Sequence, residues 1–112
     1  NFNGKYPYGD AAKGPFRKRT TRTGSFPPNG FGLYDMHGNV WEWCEDWYGT
    51  YETKQMLINP SGPASGSRRV LRGGSFTNRS SFVRSANRAF YRPTSRYFPI
   101  GFRPSRTYNL SP

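Results

Sequence analysis

The sequence predicts a loop-rich fold of a few short strands joined by long irregular segments, and three observations predict it. There are 13 glycines and 10 prolines among 112 residues. That is too many for helices or long unbroken strands, since proline lacks a backbone donor and both residues interrupt a ladder. Aromatic residues make up 18% of the chain while all hydrophobic residues together reach 33%, so large rings must build much of any core. No stretch has helical periodicity, whereas residues 40–48 alternate at period two. The abundance of rings also separates the chain from disordered sequences, which are poor in aromatics.

Taken in order, residues 1–30 read as loop, punctuated by Tyr6-Pro7, Gly9-Asp10, Lys13-Gly14-Pro15 and Pro27-Pro28-Asn29-Gly30. A short apolar stretch, residues 31–36, ends at His37-Gly38-Asn39, where Gly and Asn permit a sharp turn. The first strand, residues 40–48, sets Val40, Glu42, Cys44 and Asp46 on one face. Trp41, Trp43, Glu45 and Trp47 take the other, which is expected to pack on an aromatic core. Residues 49–67 are a second long loop. Strands are then expected at residues 69–72, at about residues 83–89 and at residues 100–103. No internal repeat is present.

The net charge of +11 is divided unevenly. All six acidic residues lie within the first 52 positions, balanced there by six Lys and Arg, and the remainder carries eleven basic residues and no acid. Such a surface suits an anionic partner. No nucleic-acid motif accompanies the charge, so a nucleic acid or polyanion is the lesser expectation. The spaced Arg84, Arg88, Arg92 and Arg96 have a structural alternative, donating to backbone carbonyls in loops. The single cysteine, Cys44, excludes an intramolecular disulfide and is expected to be a buried, inert thiol. No apolar run reaches membrane-spanning length. The compartment stays open, with cell-surface, secreted and virion-associated settings all compatible.

The segment from Gly32 to Trp43 (GLYDMHGNVWEW) resembles the sulfatase-modifying, or formylglycine-generating, family. So do Arg69 to Phe76 (RVLRGGSF), Arg84 to Arg88 (RSANR) and Ile100 to Arg103 (IGFR), in the family's order and spacing. The resemblance implies an α+β, irregular, C-type lectin-like domain. Residues 1–112 would be its C-terminal portion, with short antiparallel strands and the upstream part absent. With so few aliphatic residues, the chain is expected to need that upstream half, or another copy, to cover its rings.

In the family, positions matching Asp35, Gly38, Val40 and Glu42 form a structural calcium site. Two carboxylates and two backbone carbonyls are oxygen donors suited to a hard cation such as Ca²⁺. A second family site would begin at Asn1 and Phe2, but its downstream aspartate is replaced near residues 13–15. The family's oxidases carry a cysteine pair after the Gly-Gly-Ser motif, because soft thiolates select Cu(I). Here Asn78 falls at the first of these positions and Phe82 or Val83 at the second, so no copper is expected. His37, the only histidine, cannot build a metal site alone.

The stretch from Gly73 to Arg103 reads as framework with inserts. Thr77, Arg79, Phe82, Ala89, Tyr91, Ser95, Tyr97, Phe98 and Pro99 stand where many non-enzymatic members carry asparagine. Each of these residue types is reached from an AAC codon by changing adenines alone. That pattern resembles variable proteins diversified by retroelements, as does the closing run from Gly101 to Thr107. With Phe90 added, these residues form the expected binding face, rich in the rings and arginine that dominate hot spots. The resemblance thus implies a non-catalytic module that binds a protein ligand on a cell or virus surface. The alternative is a fragment of a formylglycine-generating oxidoreductase or a related iron or copper enzyme.

Overall fold

The computed structural model describes residues 1–51 and 56–106. Glu52, one of the six acidic residues, and Thr107, the end of the closing run, lie outside the described residues. Four strands form one sheet in the order β3-β2-β1-β4. They are β1 (Trp41–Trp47), β2 (Arg69–Arg72), β3 (Ala89–Tyr91) and β4 (Ile100–Gly101). Antiparallel pairing joins β1 to β2 and β2 to β3, as expected. The short β4 runs parallel to β1, with Trp41 opposite Ile100 and Glu42 opposite Gly101. A small mixed sheet with long loops is therefore the whole of the regular structure among the described residues, apart from a single 3-10 turn at Ser80–Phe82.

The turn before β1 forms as its sequence dictates. Gly38 and Asn39 both have positive φ, 88° and 66°, a conformation that glycine and asparagine tolerate best. The Asn39 amide then fastens the N-terminal loop. Its Oδ1 accepts from the Thr21 N–H at 2.9 Å, and its backbone N–H donates to the Asn1 carbonyl at 2.7 Å.

Two expectations need correction. The strand expected at residues 83–89 begins only at Ala89. Ahead of it, local polar groups bond to nearby backbone and compete with a ladder. The Val83 N–H donates to the Ser80 carbonyl, the Asn87 N–H to Arg84 and the Asn87 side chain to Phe82. The core differs too. It consists of Val70, Leu71, Phe76 and Val83, with Ser75 fully buried beside them. The three tryptophans of β1 are only half-buried. A register shift between Trp43 and Trp47 breaks the simple alternation. Around the small core, arginines stack on rings instead: Arg69 over Trp47 at 3.5 Å, and Arg88 over Tyr48 at 4.8 Å and Tyr51 at 3.8 Å.

Candidate ligand-binding site

The loops that follow β2 and flank β3 enclose a concave surface of about 500 Å³. It is lined by Trp41, Thr77, Asn78, Phe82, Asn87, Arg88, Ala89, Tyr91, Tyr97, Phe98, Pro99 and Ile100. Seven of the ten residues expected on a binding face meet here, from three separate segments of the chain. Arg79, an eighth, lines an adjoining hollow of about 360 Å³ that shares Thr77, Asn78 and Phe82.

Elementary strand geometry explains which side chains arrive. In the three-residue β3, Ala89 and Tyr91 point to the cavity and Phe90 between them points away. Phe90 is thus a correction to the expected face. It lies on the opposite side, 4.3 Å from the Tyr48 ring and beneath the Arg68 guanidinium. Ser95 does not line the cavity either. Its N–H closes a turn onto the Arg92 carbonyl at 2.9 Å. The remaining rings are held but open. Tyr97 stacks on Tyr91, and Phe98 meets the buried Phe76 edge-on with centroids 5.5 Å apart. Phe98 is nevertheless 70% exposed and Tyr97 59% exposed, so each ring has one face on the protein and one on solvent.

A polar framework fixes these loops. Asn78 Oδ1 accepts from the Ser75 N–H at 2.9 Å and from the Ser75 hydroxyl at 2.7 Å. The Arg88 guanidinium donates to the Gly49 carbonyl at 3.0 Å, and Arg72 donates to Ser85 and Asn87. His37 Nδ1 reaches the Val83 carbonyl at 2.6 Å, tying the turn before β1 to the 3-10 turn. The lining residues outside the expected binding face are thus Trp41, Asn78, Asn87, Arg88 and Ile100. Trp41 had a readable signal, since strand alternation alone separates it from Glu42.

By the family resemblance, Asn78 stands at the first position of the oxidases' cysteine pair and Phe82 or Val83 at the second. Asn78 is an amide committed to Ser75, Phe82 a ring lining the cavity and Val83 a buried aliphatic side chain, none of them a soft metal ligand. Cys44, on β1, is half-buried rather than buried. Burial pushes its thiol pKa up, Arg72 opposes the shift, and Asp46 and Glu42 add to it.

The expected calcium ligands lie in the turn before β1 and at the start of that strand. Asp35 has positive φ, 54°, and its Oδ2 accepts from the Gly24 N–H at 2.8 Å. Its Oδ1 is buried without a hydrogen-bond partner. Glu42 is held differently: Arg103 donates to both of its oxygens, the shortest bond being 2.7 Å, and to the Tyr34 carbonyl at 3.0 Å. That hydrogen bonding keeps the Arg103 guanidinium firmly protonated. Gly38 is buried, and its N–H donates to Gly73. Val40 is half-buried at the start of β1. Among the described residues no three His, Cys, Asp or Glu side chains converge.

Comparison with known proteins places this geometry. A family model, the sulfatase-modifying factor enzyme 1-like domain, matches residues 1–108. The chain belongs to this family. It is 39% identical over 105 residues to the mouse formylglycine-generating enzyme, covering 91% of this chain and 28% of that protein. It is 41% identical over 76 residues to the mouse inactive C-alpha-formylglycine-generating enzyme 2, covering 67% of this chain and 20% of the relative. Among solved structures, Treponema denticola variable protein 1 aligns with a TM-score of 0.72 at 39% identity, covering 77% of this chain and 31% of that one. This sulfatase-modifying-factor chain therefore spans less than a third of each of these relatives, and its fold is the C-type lectin-like fold of formylglycine-generating-enzyme type.

Proposed function

We propose that this chain is a non-catalytic ligand-binding domain, a retroelement-diversified variable protein built on the sulfatase-modifying-factor scaffold. The observation that carries the reading is convergence: seven residues singled out by an adenine-directed codon pattern line one cavity. They were selected without reference to space, yet lie on three segments that meet there. The likeness to a variable protein at a TM-score of 0.72 supports the same reading. So does the presence of a relative named as inactive. The ligand proposed is a protein on a cell or virus surface. The half-buried tryptophan face of β1 is proposed to meet an upstream segment or another copy.

The test is to sequence the genomic neighbourhood of the coding region. A near-copy of the segment encoding Gly73 to Arg103, differing only at adenines and lying beside a reverse transcriptase, is the expected result. Absence of any such copy counts against diversification.

We also propose that Ca²⁺ is the structural cation of the turn before β1. The buried, unpartnered Oδ1 of Asp35 supports it, because a carboxylate oxygen left without a donor suits a hard cation. Asp35 and the Gly38 and Val40 carbonyls would hold the ion, with Glu42 exchanging Arg103 for it.

A second reading, a fragment of a formylglycine-generating oxidoreductase, is favoured by the 39% identity to the mouse enzyme. Titration with Cu(I) separates the two. Stoichiometric tight binding supports the enzyme reading, and the binding-domain reading predicts none.

A further inference from the structure

We infer that the partner of the cavity is an acidic polypeptide segment carrying one aromatic or aliphatic anchor. The inference rests on the binding-face reading above and specifies its ligand. Its ground is a division among the arginines. Arg69, Arg72, Arg84, Arg88 and Arg103 all donate to backbone carbonyls and are consumed in holding loops. The guanidinium groups of the exposed Arg79, Arg92 and Arg96 make no hydrogen bond or ion pair among the described residues, that of Arg79 lying over the Phe82 ring. Each of these three adjoins a residue of the lining in sequence: Asn78, Tyr91 and Tyr97 respectively. No acidic residue lines either hollow. The Arg103–Glu42 ion pair involves neither hollow. Arg79 lines the adjoining hollow. Arg92 and Arg96 stand exposed on the loop between the lining residues Tyr91 and Tyr97, so the loops that edge the cavity form a cationic rim that steers an anion.

The lining beneath that rim favours an apolar anchor over a base or a sugar. Most polar groups that reach it are bonded to the protein itself. Asn78 Oδ1 and the Thr77 hydroxyl bond to Ser75, Asn87 Nδ2 donates to the Phe82 carbonyl and Arg88 donates to Gly49. What they leave to a ligand is mainly ring and aliphatic surface from Trp41, Phe82, Tyr91, Phe98, Pro99 and Ile100. A volume of about 500 Å³ suits a single large side chain with a little adjoining backbone. Three cations around one such pocket match a short acidic segment. A nucleic acid is bound through a longer track of phosphates and by reading base edges.

The experiment selects random twelve-residue peptides displayed on phage against the whole chain, in parallel with an R92E/R96E variant. The expected pool carries Asp or Glu on both sides of one aromatic or aliphatic residue. A synthetic peptide from that pool should bind the R92E/R96E variant at least about tenfold more weakly, and lose affinity as salt rises. An enriched pool that has an apolar anchor but no acidic bias overturns this inference and leaves the binding-face reading standing. A pool indifferent to Tyr97→Ala and Phe82→Ala overturns both. Equal binding of the peptide lacking its anchor, or of a twelve-nucleotide thymidine strand, overturns the inference in favour of a general polyanion surface.

Discussion

Tyr91, the last residue of β3, and Tyr97, in the loop leading to β4, stack with ring centroids 5.3 Å apart and planes 19° from parallel. The pair closes the intervening five residues into a loop beside the cavity, so β3 and the loop leading to β4 share one wall. Offset ring pairs contribute roughly 0.5–1.5 kcal/mol beyond area burial. Tyr97→Ala should therefore lower stability by about 1 kcal/mol, measured by urea unfolding. It should weaken a selected ligand far more than that loss explains. Tyr97→Phe should retain both.

Asn78 is predicted to be structural rather than reactive. Ser75 is fully buried, and Asn78 Oδ1 is the acceptor for both its N–H and its hydroxyl. Asn78→Ala should cost about 1–3 kcal/mol, since a buried donor is left unpaired. Thermal or urea denaturation checks it. A loss below a few tenths would show that water replaces the amide.

Gly74 supplies a second test of the framework. Its φ is +71°, and a Cβ there would lie 2.6 Å from Val83 Cγ1 and 3.0 Å from the Phe82 carbonyl oxygen. Gly74→Ala thus combines backbone strain with a clash against a buried side chain. A loss of roughly 2–4 kcal/mol is expected. Gly30, where a Cβ would meet open space, is the control, and Gly30→Ala should be near neutral.

Cys44 should behave as a slow thiol. Burial raises its pKa in the folded state, so less thiolate is present than on a free cysteine at mildly alkaline pH. Iodoacetamide should modify it several-fold more slowly in the native chain than in urea. The linkage sign follows: the folded form holds the proton after the unfolded form has lost it. The contribution is full below the unfolded thiol pKa and declines as pH rises toward the folded one. Cys44→Ala should remove that alkaline decline.

Calcium is tested at the turn before β1. With Ca²⁺ in place of a chelator the melting temperature should rise, and Asp35→Ala should abolish the rise. Arg103→Gln should leave Glu42 free for the ion and strengthen the response. No difference between Ca²⁺ and chelator in the unmodified chain would contradict the assignment.

What the sequence made legible was local. The Gly38-Asn39 turn needs two residues that accept positive φ, and both are present. The strand Arg69–Arg72 and the start of β4 also follow from short-range pattern. Seven of the residues in the codon pattern line the cavity, although they are far apart in sequence. Phe90 was misplaced because ring type was read there rather than alternation, and a three-residue strand still alternates. The segment 83–89 misled for a different reason: the turn bonds of Asn87 and Val83 compete with the ladder. The Arg103–Glu42 pair spans 61 residues, and no local signal announces a contact at that distance.

On the proposed reading, a ligand covers the loops from Thr77 to Pro99. Amide hydrogen exchange of the chain with and without a saturating selected ligand maps that coverage. Protection confined to residues 77–82, 88–91 and 97–100 is the predicted result. Protection centred instead on the exposed Phe31, at 89% exposure, or Phe102, at 80%, with those three segments unchanged, would contradict it.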